Sequence, residues 1–166
     1  MKLFVTVGTT GFDDLIATTD TAAFYDNCLN CGINKVLFQI GNGSHIPNNF
    51  STVNISVDHY RFKSSIHDDL SSSDLIVSAG GAGTISEALS LNKRLIVVIN
   101  NSLLHNHQIE LAKKYASLNY CLMANSPSMV LSLLEEALKN SFTPFPSPQP
   151  SLLWNYLESF LPDKSS

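Results

Sequence analysis

The stretch that decides the fold runs from Asp74 to Leu89 and reads DLIVSAGGAGTISEAL. It opens with a short apolar run, which is typical of a strand that is covered on both faces. Three glycines within four residues follow this run, and a helical pattern begins directly after them. The stretch therefore predicts a strand, a glycine-rich turn and a helix, the beginning of a parallel βαβ unit.

The same alternation of strands and helices runs through most of the chain. Strands are predicted at 3–7, 35–40, 53–57, 75–78, 95–99 and 120–123, and helices at 12–31, 63–72, 84–92, 106–117 and 126–139. The run from Leu95 to Ile99 is continuously apolar, as expected for a strand inside a parallel sheet. We therefore predict an α/β domain at residues 1–142, a Rossmann-like parallel sheet with helices on both faces.

The tail follows a different pattern. Four prolines within residues 143–150 exclude a helix there and predict an extended linker. Residues 151–161 form an amphipathic helical pattern, with Ser151 as its N-cap. Two interpretations of this helix stay open: it folds back onto its own domain, or it docks on another chain.

Composition and charge disfavour some classes of function. The chain has 166 residues, of which 14% are charged, and a net charge of −4. Binding to nucleic acid is disfavoured, because phosphate backbones require clustered Lys and Arg. No apolar run approaches the ~18 residues of a membrane helix, and the first apolar run is too short for a signal peptide. We expect a cytosolic protein.

Two of the three cysteines form a C-x-x-C pair, Cys28 and Cys31. The pair lies at the end of a predicted helix, just before Gly32, which is expected to be the helix C-cap. A redox pair needs the opposite end of a helix, where the dipole lowers the thiol pKa. We therefore expect reduced, structural cysteines.

Ligands of an open parallel sheet bind at the carboxyl ends of its strands, and three polar segments fall at such ends. Gly8, Thr9 and Thr10 follow the first strand, either as a phosphate-binding loop or as a plain tight turn. Asn106, His107 and Gln108 start a helix, where they either bind sugar hydroxyls or serve as a cap and as structural residues. The remaining segment is the glycine-rich turn.

The turn from Gly80 to Thr84 can wrap its amides around a diphosphate at the start of a helix. Glu87 then lies one turn into the helix, where its carboxylate can accept hydrogen bonds from a ribose diol. The same spacing, Thr84-x-x-Glu87, is also a capping box, in which Glu87 bonds back to the N-cap amide. Spacing alone does not separate the two roles.

Three blocks of the chain, taken together and in order, resemble a known family. The blocks are Phe4-Val5-Thr6-Val7-Gly8-Thr9-Thr10 with Phe12-Asp13 and Leu15-Ile16; Ser78 to Glu87; and Leu95-Ile96-Val97-Val98 with Asn106-His107-Gln108-x-Glu110-Leu111-Ala112. The resemblance is to donor-binding domains of the glycosyltransferase family 28 type, the C-terminal half of a GT-B enzyme. Within that family, it is to the small soluble subunits of the two-subunit UDP-N-acetylglucosamine transferase of dolichol-linked oligosaccharide synthesis. It extends over residues 1–140.

The resemblance implies roles for individual residues. Gly81, Ala82, Gly83 and Thr84 would hold the UDP diphosphate, Glu87 the ribose, and His107 and Gln108 the sugar and phosphate. One departure is clear, because this chain has Ala79 where the family usually has His. No cofactor or metal is expected, since Asp13-Asp14 and Asp68-Asp69 are adjacent pairs and not the D-x-D of metal-dependent transferases. No residue is assigned as the general base.

The resemblance also implies a partner, a membrane-anchored subunit that binds the lipid-linked sugar acceptor at the cytosolic face of the endoplasmic reticulum. The expected reaction is inverting transfer of N-acetylglucosamine onto N-acetylglucosaminyl-diphosphodolichol. Two alternatives stay open, namely a subunit of a bacterial two-part polysaccharide transferase and a non-catalytic nucleotide-sugar-binding subunit. A small dehydrogenase is disfavoured, because no G-x-G-x-x-G follows the first strand.

Overall fold

The computed structural model describes residues 1–79, 81–100 and 106–146, without the side chains of residues 106–108. The strands are β1 (Lys2–Thr6), β2 (Lys35–Gln39), β3 (Phe50–Ser51), β4 (Ser56–Tyr60), β5 (Leu75–Ser78), β6 (Arg94–Val98) and β7 (Leu122–Ala124). They form one sheet in the order β3-β4-β2-β1-β5-β6-β7, parallel except for β3. The predicted fold class is confirmed.

Helices cover both faces of this sheet. They are α1 (Asp13–Thr19), α2 (Ala22–Asn30), α3 (His67–Ser71), α4 (Ala82–Ser90), α5 (Asn106–Ser117) and α6 (Val130–Lys139), with a 3₁₀ turn at Pro127–Met129. Leu15 of α1 shares one hydrophobic cluster with residues of α2 and α6. Ile85 of α4 shares the other cluster with residues of α3 and α5. The sheet is therefore the middle of three layers.

The strand order creates a topological switch point between β1 and β5. From β1, the chain adds β2 and β4 on one side, and then crosses to place β5, β6 and β7 on the other. Connections on the two sides leave the sheet in different directions, which opens a crevice at the carboxyl ends of β1 and β5. All three predicted ligand segments follow β1, β5 and β6, which are neighbours in the sheet.

Several predicted elements have different bounds in the structure: the helix predicted at 63–72 is only His67–Ser71, and the helix predicted at 126–139 begins at Val130. Two others differ more. The single helix at 12–31 is split into α1 and α2, because the Thr21 hydroxyl caps the second helix by accepting a hydrogen bond from Phe24 N at 3.2 Å. The strand predicted at 53–57 is β4 at Ser56–Tyr60 instead. Val53 is fully exposed in a turn, where the Thr52 hydroxyl accepts from Asn54 N and Ile55 N.

The end of α2 matches its prediction. Gly32 has φ +76, and Ile33 N donates to the Cys28 carbonyl at 2.8 Å, which closes the helix in a Schellman motif. All three cysteines are free thiols. Burial raises the pKa of Cys28 to about 12, so this thiol lacks the acidic character of a redox nucleophile.

The start of the predicted linker lies against the domain. The Phe145 ring packs edge-on against Tyr115 and Tyr120, with ring centroids 5.5 and 5.2 Å apart. The rest of the linker and the tail helix predicted at 151–161 lie outside the described residues. Within the described ranges, no helix is both long enough and apolar enough to cross a membrane.

Candidate functional site

The loop after β1 is held by one buried amide. Gln39 Oε1 accepts hydrogen bonds from the Thr6 hydroxyl at 2.6 Å and from Gly8 N at 3.0 Å, while Nε2 donates to the Gly8 carbonyl at 2.8 Å. Gly8 has φ +70, a conformation that favours glycine. Thr9 and Thr10 are left exposed at the edge of the switch point. The predicted loop is thus fixed from β2, the neighbouring strand.

A second loop, residues 41–45, interlocks with the first. A Cβ on Gly41 would lie 2.3 Å from the Gly8 carbonyl oxygen, and a Cβ on Gly11 would lie 2.5 Å from Gly43 N. Asp13 Oδ1 also accepts hydrogen bonds from Ser44 N at 2.7 Å and from His45 N at 3.1 Å. The hydrogen bond from His45 N is the largest cause that lowers the pKa of Asp13 below its ordinary value, and the bond from Ser44 N adds to it. Burial opposes them without cancelling their effect. The two loops therefore pack against each other and are joined by the Asp13 side chain.

The glycine loop (residues 79–84) joins β5 to α4 on the other side of the switch point. Ala79 N donates to the Thr6 carbonyl at 2.9 Å, which anchors the loop to β1. Gly81 is the N-cap of α4, and the first bond back along the helix runs from Ile85 N to the Gly81 carbonyl. The amides of the first turn, Ala82 to Thr84, therefore have no partner within the helix, as at any helix start. Gly80 lies outside the described residues.

Glu87 does not form the capping box. Thr84 is the third residue of α4 and not its N-cap, so the Thr84-x-x-Glu87 spacing falls inside the helix. Glu87 Oε1 instead lies 2.8 Å from His67 Nδ1, at the start of α3. The side chains are 40% and 55% exposed, respectively. Among the described residues, Glu87 Oε2 makes no hydrogen bond, so only one of the two carboxylate oxygens has a partner there.

The third predicted segment begins α5 at Asn106, as the sequence indicated. The helix follows β6, so Asn106, His107 and Gln108 lie at the same edge of the sheet as the glycine loop. Their side chains are outside the described part of the chain, and their predicted contacts with a sugar stay predictions.

A groove of about 270 Å³ opens beside these loops, at the start of α1. This α1 groove is lined by Thr10, Gly11, Phe12, Asp13, Asp14, Asn42, Gly43 and Asn100. Of these, only Thr10 is among the residues predicted to bind a ligand. The sequence signal that could have located this groove is the Asp13-Asp14 pair, which begins the helix after the first strand. The contribution of Asn42 could not be predicted, because it depends on how the two loops pack together. Within the described ranges, no three His, Cys, Asp or Glu side chains are placed to hold a metal ion.

Comparisons with a family model and with known sequences agree on one family. Residues 2–151 match the model of the glycosyltransferase family 28 C-terminal domain. The chain is 45% identical over 122 residues to the UDP-N-acetylglucosamine transferase subunit ALG13 of Homo sapiens. The aligned region covers 72% of this chain and 11% of that protein. The chain spans about a tenth of the human and mouse relatives that it matches, 11% and 10% of their lengths.

Solved structures show the same fold at lower identity. An NMR solution structure of ALG13 superposes with a TM-score of 0.67 at 24% identity and covers 95% of both chains. The crystal structure of Acinetobacter baumannii MurG gives 0.60 at 16% identity, over 81% of this chain and 39% of that one. At these identities the likeness establishes the fold alone.

Proposed function

Because the chain belongs to the glycosyltransferase family 28 C-terminal domain family, we propose that it binds UDP-N-acetylglucosamine at the glycine loop. In this proposal it is the donor-binding part of an inverting glycosyltransferase that is active only with a partner. The human relative, whose name describes a UDP-N-acetylglucosamine transferase subunit, supports both the donor and the need for other subunits.

The observation that carries the proposal is the position of the α4 start at the switch point. Only residues 79–81 separate the end of β5 from the first-turn amides of α4, and Gly81 and Gly83 leave the surface around these amides open. A diphosphate there would accept several amide hydrogen bonds, and the helix dipole would add roughly 0.3–1 kcal/mol. During transfer, negative charge grows on the departing UDP, and the same preorganised donors would stabilise it.

The remaining roles follow from this placement. Glu87 would accept hydrogen bonds from the ribose diol with the oxygen that His67 does not hold. His107 and Gln108 would contact the sugar and phosphate from the start of α5. No residue of this chain is assigned as the general base. The partner would be a membrane-anchored subunit that presents N-acetylglucosaminyl-diphosphodolichol at the cytosolic face of the endoplasmic reticulum.

One observation favours a second candidate, a non-catalytic nucleotide-sugar-binding subunit. Ala79, half-buried at the start of the glycine loop, stands where the resemblance leads us to expect a histidine. An imidazole there could donate a hydrogen bond or a proton to the phosphate region, and a methyl group cannot. UDP binding without transfer, in the chain reconstituted with its partner, would select this candidate.

A ligand titration followed by NMR tests donor binding directly. The isotope-labelled chain is titrated separately with UDP-N-acetylglucosamine, UDP, UDP-glucose and NAD. We expect amide shifts at Gly81–Glu87 with the three UDP ligands and none with NAD. Shifts with NAD alone would instead indicate a dinucleotide-binding protein, and no shift with any ligand at millimolar concentration would overturn donor binding by this chain.

A further inference from the structure

Gln39, the last residue of β2, makes four hydrogen bonds at the carboxyl edge of the sheet. The residue is only 2% exposed, and its amide uses both of its donors. Oε1 accepts from the Thr6 hydroxyl and from Gly8 N, whereas Nε2 donates to the carbonyls of Gly8 and Arg61, each at 2.8 Å. The backbone groups fix the orientation of this amide, because Gly8 N can only donate and the two carbonyls can only accept.

Arg61 extends the network to the loop after β2. Its Nη1 donates to the Gly41 carbonyl at 3.0 Å and to the Gly43 carbonyl at 2.8 Å. Gln39 Nε2 bonds the backbone carbonyl of the same arginine. The loops that follow β1, β2 and β4 are therefore joined through two side chains, and loss of the Gln39 amide would separate the first loop from the other two.

The network divides the predicted ligand loop into two parts. The Gly8 N–H is used by Gln39 and is not available to a ligand. Thr9 and Thr10 are exposed, and among the described residues neither their backbone N–H groups nor their hydroxyls donate a hydrogen bond. These two residues together present four donors that a phosphate can accept from.

The free donors of Thr9 and Thr10 stand beside the glycine loop. Thr6 is opposite Ser78 in the β1–β5 pair, and Ala79 N donates to the Thr6 carbonyl. Neighbouring strands lie about 4.8 Å apart, so the two loops leave the sheet side by side at the switch point. A diphosphate at the start of α4 can therefore also accept hydrogen bonds from the loop after β1.

The hydrogen bonds from Gln39 fix the path of this loop before a ligand arrives. Thr9 and Thr10 are exposed and bury little surface, and the Thr9 carbonyl accepts only a long bond, from Asn42 N at 3.3 Å. Gly8, by contrast, is bonded to Gln39 through both its N–H and its carbonyl. A loop that is ordered in advance loses less conformational entropy on binding.

We propose that Gln39 is a positioning residue of the donor site, which holds Gly8 so that the amides and hydroxyls of Thr9 and Thr10 bind the diphosphate of the nucleotide sugar. The inference rests on the proposed function, because that function supplies the diphosphate. It goes further in giving a role to a buried side chain that touches no ligand, and in assigning Gly8 to the support of the loop and not to ligand contact.

Titrations of the full chain with UDP and with uridine test this role, because only UDP carries the diphosphate. Gln39→Met keeps the length of the side chain and removes its amide. It should weaken UDP binding roughly tenfold, as charge-assisted hydrogen bonds are lost, and leave uridine binding unchanged. A purely structural loss would weaken both ligands alike.

Thr6→Val is the matched control. It removes a buried hydrogen bond to the same amide, from the Thr6 hydroxyl to Gln39 Oε1 at 2.6 Å. Gly8 should stay bonded to Gln39, since the Thr6 hydroxyl lies 3.5 Å from Gly8 N, too far to hold it. The affinity for UDP should therefore be unchanged in this variant.

Amide hydrogen exchange of the unsubstituted chain decides the matter if Gln39→Met does not fold. In the free chain the Gly8 amide should exchange slowly, and those of Thr9 and Thr10 quickly. UDP should slow exchange at Thr9 and Thr10, and uridine should not.

Two kinds of result would overturn the positioning role. One is a folded Gln39→Met chain that binds UDP as tightly as the unsubstituted chain, or that loses UDP and uridine affinity equally. The other is fast exchange at Gly8, or no protection of Thr9 and Thr10 by UDP. Either result leaves the expected UDP shifts at Gly81–Glu87 intact and refutes this inference alone. Absence of those shifts in the unsubstituted chain would overturn the proposed function, and this inference with it.

Discussion

His67 Nδ1 lies 2.8 Å from Glu87 Oε1, and this hydrogen bond joins the start of α3 to the second turn of α4. The bond occupies one oxygen of the carboxylate that we assign to the ribose. A ribose diol would thus either share Glu87 with His67 or compete with it, and substitutions at the two positions distinguish their roles.

Glu87→Ala should weaken UDP binding roughly tenfold, because a charged hydrogen-bond acceptor of the ribose is lost. His67→Ala should keep or tighten UDP binding, because it releases Glu87 Oε1 for the ligand. Titration calorimetry with UDP measures both. An equal loss in the two variants would show instead that His67 is needed to position Glu87.

Gly81→Ala should weaken UDP binding roughly tenfold while the fold is kept. The backbone at Gly81 has φ −61, and a Cβ there meets only the Thr84 hydroxyl, at 3.9 Å, so the free protein accommodates the methyl group. The affinity loss is expected because the methyl group would stand between the loop amides and the diphosphate. UDP titration and urea unfolding together check this, and unchanged affinity would place the diphosphate away from Gly81.

Gly8→Ala and Gly41→Ala should differ in stability although both positions have positive φ. At Gly8 a Cβ has no neighbour within 4 Å, so only backbone strain of about 1 kcal/mol is expected. At Gly41 the Cβ would lie 2.3 Å from the Gly8 carbonyl oxygen, and roughly 3 kcal/mol or more is expected. Urea unfolding measures both losses, and equal values would contradict the interlocked loops.

The stabilising contribution of Asp69 should be lost in acid. Burial raises the pKa of this carboxyl, but hydrogen bonds from Lys63 and Tyr60, with the charges of Lys63 and Lys2, outweigh it and hold the pKa below the ordinary value of 3.8. A lowered folded-state pKa stabilises the fold above the unfolded-state pKa, and this contribution is lost as the pH falls through the folded-state value.

Asp69→Asn should therefore lower the free energy of unfolding at pH 7, by roughly 2 kcal/mol, and by less below about pH 4. Urea unfolding across this pH range gives the comparison with the unsubstituted chain. Asp26→Asn on α2 serves as the exposed control. A loss that does not depend on pH would mean that packing, and not the ionised group, is responsible.

The three thiols should react with an alkylating reagent at different rates. Burial raises the pKa of Cys28 and of Cys121 to about 12, so almost no thiolate forms at pH 8. Cys31 is only partly buried, and although burial raises its pKa as well, it should be modified first. Mass spectrometry of the folded chain should show one modification before unfolding, and three in denaturant. Early modification of Cys28 would contradict the packing of α2.

Much of the fold was predictable because strand burial is recorded locally. The run from Leu95 to Ile99 is apolar without alternation, and these residues are buried with helices on both faces. The glycine loop between β5 and α4 was likewise visible as a run of glycines next to helix-forming residues. The break between α1 and α2 was missed, because a threonine inside a helical pattern reads as a cap only when its hydroxyl is seen to bond Phe24 N.

By itself, the sequence determined the layered α/β architecture, since burial and helix propensity depend on residues close together along the chain. It also predicted three ligand segments and their order along the chain. The tertiary structure decided what Glu87 contacts and which residues share the α1 groove. His67 and Glu87 are 20 residues apart, and Asp13 and His45 are 32 residues apart. Asp13 and His45 meet because β1 and β2, which precede their loops, are neighbours in the sheet, whereas His67 and Glu87 meet because α3 and α4 pack side by side on one face. No local pattern records which segments will meet.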